Sequence, residues 1–158
     1  MLRSTAGTSR AWPFLAVGTA CVVAGGLVAA VTATAPSELG AWAAAYLVLV
    51  GGVAQVGLGL GQAALAAREP STGLVATECA LWNAGNTAVL LGTIFAVPLL
   101  VDAGGALLVA TLVLLLRGVH GRDGPARNDR DRRWIRYGFR ILVLILAVSI
   151  PIGLALAA

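Results

Sequence analysis

Charge is absent from five long windows of this sequence, residues 11–37, 39–67, 79–101, 103–116 and 141–158. A helix needs roughly 20 apolar residues to cross the hydrocarbon core of a bilayer, and most of these windows reach or approach that length. Within hydrocarbon the backbone must satisfy its own polar groups, which a helix does inside one segment. The windows therefore read as spanning helices. Composition agrees, with 59% hydrophobic and 11% charged residues, where soluble domains carry about a quarter charged. The expected fold is all-α, a polytopic transmembrane helical bundle forming one integral membrane domain over residues 1–158.

Five spanning helices are expected at approximately 12–33, 41–66, 74–96, 99–116 and 141–157. Breakers separate them: Ala35-Pro36-Ser37, then Glu69-Pro70-Ser71-Thr72-Gly73, then Pro98 with Gly104 and Gly105 close by. The fourth window has only fourteen residues, so its helix borrows Leu99–Val101. Charge bias supports this crossing. All eleven basic side chains are arginine, and five crossings put Arg3, Arg10, Arg68 and the eight arginines of the 117–140 loop on one side. Glu38 and Asp102 fall on the other, the asymmetry that the positive-inside rule selects. The expected orientation is N-terminus in and C-terminus out, multi-pass, in the cell inner (cytoplasmic) membrane.

Arg3 and Arg10 followed by an apolar run also resemble a signal peptide, whose apolar region is typically 7 to 15 residues long. Here the run continues for about 20 residues, which favours a retained anchor. Val17-Gly18-Thr19-Ala20-Cys21 is a poor lipoprotein cleavage box, because Gly18 stands where a larger aliphatic is usual. Cys21 is expected to be a small core residue. No internal repeat is visible, so no duplicated transporter half is expected.

Polar side chains at membrane depth are costly and normally face protein or water. Gln55, Gln62, Glu78, Asn83 and Asn86 form the candidate intramembrane polar site. Gln55 and Gln62 are seven residues apart and share an arc of the second helix with Gly51, Gly52 and Gly59. On the third helix Glu78, Trp82, Asn86 and Thr93 follow steps of four, four and seven, with Cys79 and Asn83 on the flank. Depth counting through the short connection puts Gln62 level with Glu78, about 7 to 8 Å from the helix ends. It puts Gln55 near Asn86, about 18 to 20 Å deep. Gly57 and Gly61, on roughly the opposite face, offer a small-xxx-small helix-packing surface for another helix or subunit.

The 117–140 segment carries eight arginines and three aspartates, a local balance of +5. Gly121, Gly124 and Pro125 are expected to interrupt any helix there. Arg130, Arg132, Arg133, Trp134, Arg136, Tyr137 and Arg140 mix cations with aromatic rings just before the last span, a pattern suited to anionic lipid headgroups. Nucleic acid is not an expected partner, because no binding module orients these groups and the aspartates interrupt their charge.

Enzyme chemistry has little to work with. His120 is the sole histidine, so a bis-histidine haem or a histidine-ligated metal has no ligand set. Cys79 and Ser149 have no base nearby in sequence. Asp123, Asp129 and Asp131 alternate with arginine, as exposed ion pairs do. No cofactor and no metal are expected. The leading expectation is a non-catalytic accessory or scaffold subunit in a homo-oligomer or larger membrane complex. The alternative is a small transporter or channel component that uses the polar stripe.

Overall fold

The computed structural model describes residues 11–65, 70–119 and 129–157, with side chains described outside 119, 129–133 and 150–157. Every regular element among them is a helix. Helix α1 is Trp12–Thr34. Helix α2 runs over Glu38–Leu65 in three parts: α-helical Glu38–Tyr46, π-helical Leu47–Ala54 and α-helical Gln55–Leu65. Helix α3 is Thr72–Ile94, α4 is Pro98–Val119 and α5 is Asp129–Ala157.

Three of these helices, α1, α2 and α4, are long and apolar enough to cross a membrane. Helix α3 has the length, at 23 residues, but Glu78, Asn83 and Asn86 dilute its apolar character. Helix α5 starts at Asp129, twelve residues before the expected Ile141. No proline and a single glycine, Gly138, fall between Asp129 and Arg140, so nothing there breaks a helix. The breakers Gly121, Gly124 and Pro125 lie outside the described residues.

Local chemistry explains the helix ends. Pro13 occupies the first turn of α1, where its missing N–H costs nothing. Ser37 caps α2 by accepting from the Gly40 N–H at 3.1 Å, and Ser71 caps α3 by accepting from the Leu74 N–H at 3.2 Å. Between α3 and α4 the chain turns at Ala96, which holds a left-handed φ of 52°. Pro98 then opens α4.

Glycines close two antiparallel hairpins. In α1–α2, a Cβ on Gly18 would lie 3.1 Å from the Gly52 carbonyl oxygen, and one on Gly25 would lie 2.9 Å from that of Ala44. In α3–α4, a Cβ on Gly104 would lie 2.8 Å from the Gly85 oxygen, and one on Gly92 would lie 2.8 Å from the Val101 nitrogen. Backbones come this close only where side chains are missing. Helix α5 packs against α2 and α4, and its seat on α2 is the glycine pair already noted. A Cβ on Gly57 would lie 2.9 Å from Leu142 Cδ2, and one on Gly61 would enter the Phe139 ring.

The core between the hairpins holds Trp82, Phe14, Leu58, Leu108 and Leu115, all wholly buried. Large apolar side chains also cover the outside, including Val23, Leu27 and Val31 on α1, Val53 on α2, and Leu144, Ile145 and Val148 on α5. Water would penalise such a surface, whereas lipid tails solvate it.

Candidate intramembrane polar site

Helices α2 and α3 face one another through three polar rungs. Nearest their connecting turn, Gln62 Nε2 donates to Glu78 Oε2 at 2.5 Å. Both residues are buried, 2% and 1% exposed. One step away, Gln55 Nε2 approaches Cys79 Sγ at 3.6 Å, and Asn83 Nδ2 approaches the same sulfur at 3.5 Å while donating to the Cys79 carbonyl at 2.7 Å. Farthest from the turn, the Tyr46 hydroxyl donates to Asn86 Oδ1 at 2.9 Å, and Asn86 Nδ2 donates to the Trp82 carbonyl at 2.8 Å.

The π-helical stretch makes the third rung possible. Tyr46 and Gln55 are nine residues apart, and at about 100° per residue an α-helix would put them on opposite faces. A π turn closes i→i+5 and so holds about one residue more than an α turn. Over Leu47–Ala54 the rotation falls short of the α-helical value by roughly half a turn. Tyr46 thereby joins Gln55 and Gln62 on the side facing α3.

Gln55, Gln62, Glu78 and Asn86 make contacts across this α2–α3 interface, whereas the bonds of Asn83 stay within α3 at Cys79, and the cross-helix pairing differs from depth counting. Gln62 meets Glu78 as expected. Gln55 meets Cys79 rather than Asn86, and Asn86 meets Tyr46. Counted from Leu65 and Thr72, the observed ends, Gln62 and Glu78 are three and six residues in, and Gln55 and Cys79 are ten and seven, so the contacts do not join residues of equal depth. The shared arc on α2 is divided. Gly52 and Gly59 press on Val22 and Phe14 of α1, and Gly51 faces Cys21, while the glutamines turn to α3.

Among the described residues, two buried side-chain polar atoms have no hydrogen-bond partner in the protein, the acceptor Gln55 Oε1 and the donor Trp82 Nε1. Both side chains are 0% exposed. Thr111, also wholly buried, is satisfied by donating to the Leu107 carbonyl at 2.8 Å.

Gly57 and Gly61 seat Leu142 and Phe139 of the same chain, so this surface is already occupied by α5. A different small-residue surface stays open: a groove between α1 and α2 lined by Gly25, Gly26, Ala29, Ala41, Ala45 and Val48. The basic and aromatic residues before the last span belong to α5 itself. Trp134 is 74% exposed, Tyr137, Arg136 and Arg140 are exposed, and Phe139 is buried beneath them. The side chains of Arg130, Arg132 and Arg133 lie outside the described residues, as do His120 and Asp123.

No protein-family model, curated protein or solved structure matches the chain.

Proposed function

We propose that the chain is a five-span protein of the inner membrane, with its arginines on the cytoplasmic side, acting as a non-catalytic accessory or scaffold subunit. The observation that carries this reading is the state of the polar ladder. Gln62 with Glu78 and Tyr46 with Asn86 bond one another across the α2–α3 interface, with Gln62, Glu78 and Asn86 buried and Tyr46 half-buried. Polar groups used in this way hold helices together, at about 0.6 kcal/mol each on average in membranes. The small-residue groove between α1 and α2 is the surface left for a neighbouring transmembrane helix, because close approach needs small side chains.

At 29 residues, α5 is about 43 Å long, against a hydrocarbon core of about 30 Å. Its first turns therefore extend to the headgroups, where Trp134 and Tyr137 suit the interface and Arg136 and Arg140 attract anionic lipid.

A second reading, a small transporter or channel component, draws on Glu78 together with the unpartnered Gln55 Oε1 and Trp82 Nε1. One pair of experiments separates the two. Gly26 has open space where a side chain would go, with nothing within 4 Å, so Gly26→Leu leaves the fold intact and is expected to strip a bound partner or second copy in native mass spectrometry. Glu78→Gln is expected to leave that assembly unchanged. If Glu78→Gln instead abolishes a proton or solute flux in proteoliposomes while the protein stays folded, the scaffold reading is wrong.

A further inference from the structure

The middle rung of the ladder is incomplete in a specific way. Gln55 spends one arm of its amide on the Cys79 sulfur, and the other arm, Oε1, is buried without a partner. Trp82, three residues on from Cys79 on the facing helix, buries an indole N–H that is likewise unspent. Helical side chains lean over the turn N-terminal to their own Cα, so the Trp82 indole lies over the turn of Glu78 and Cys79, where Gln55 arrives. An unspent acceptor and an unspent donor thus lie within one helical turn of the Gln55–Cys79 contact, at the end of the π-helical stretch. Non-α segments of this kind occur frequently at functional sites. Exchanging the two ends of the Gln55 amide still leaves one arm unspent.

From these observations we infer that Gln55 Oε1 and Trp82 Nε1 form a binding site for one small neutral molecule that both donates and accepts hydrogen bonds, namely water. Burying either group unpaired costs about 1–3 kcal/mol, and a buried water characteristically makes about three hydrogen bonds to such groups. Asn83 and Cys79, one turn away or less on α3, complete the polar surroundings. A neutral ligand suits the site, because the groups that meet at this rung, Gln55, Cys79 and Asn83, are themselves neutral. The inference goes beyond the scaffold reading and does not depend on it, since a bound water serves a structural joint and a solute path equally well.

The test is an NMR measurement on the full chain in phosphatidylcholine nanodiscs with ¹⁵N-labelled tryptophan. Four indole signals are expected, from Trp12, Trp42, Trp82 and Trp134, and Trp82→Phe identifies its own by loss. The Trp82 indole proton should show a cross-peak to a bound water. That cross-peak should vanish in Gln55→Leu, with the other three indole signals unmoved. A wild-type Trp82 indole with no water cross-peak overturns the inference, whether it is free of hydrogen bonds or bonded directly to Gln55. The wild-type spectrum decides this even if Gln55→Leu does not fold.

Discussion

Glu78 is the residue on which the polar interface depends most, because it is a buried carboxyl that accepts from an amide on another helix. Removing one member of such a pair strands the other, at about 1–3 kcal/mol, whereas removing both costs far less. Gln62→Leu and Glu78→Leu should therefore each destabilise the protein by about 1–3 kcal/mol. The double variant should lose much less than their sum, and Glu78→Gln, which still accepts from Gln62, should be nearly neutral. Reversible unfolding in mixed micelles measures all four, and strictly additive single losses would count against the pairing. This contact was legible in the sequence, where counting from the ends of the polar connection at Ala67 and Gly73 puts Gln62 and Glu78 each five residues in. Tyr46 was not legible. On a helix with 3.6 residues per turn it lies opposite Gln55, and no residue in Leu47–Ala54 announces that the helix there will be wound more widely.

Elements meet in this molecule where side chains are missing. Gly18 and Gly25 admit α2 to α1, Gly85 and Gly104 admit α4 to α3, and Gly57 and Gly61 admit α5 to α2. A side chain at Gly61 collides with the Phe139 ring, while one at Gly26 meets nothing. Gly61→Val should accordingly destabilise the protein by about 1–3 kcal/mol, as overpacking does, with Gly26→Val close to neutral. Pairing Gly61→Ala with Phe139→Leu should recover most of the stability that Gly61→Ala alone loses. Thermal unfolding in detergent gives the comparison, and equal losses at Gly61 and Gly26 would refute the seating of α5. The sequence marks Gly57 and Gly61 as a packing face, but spacing along one helix says nothing about which helix fills it. The early start of α5 was hidden for a related reason. Arginines in a sequence argue against hydrocarbon, but they do not argue against a helix.

At the scale of the whole molecule, an apolar exterior and a polar interior seam make sense together in lipid. Hydrocarbon gives helices no hydrophobic reason to associate, so close glycine contacts and interhelical hydrogen bonds supply the cohesion. The number of helices followed from charge-free windows, and three of them are individually apolar enough to span. Helix α3 falls short for the same reason that it matters, since the residues that dilute it build the ladder. The five-span layout with the arginines on the cytoplasmic face is the central claim, and reporter fusions test it most directly. A fusion within residues 120–128, between α4 and α5, should be active only in the cytoplasm, and one after Ala158 should be active only outside. An externally active reporter between α4 and α5 would contradict the layout.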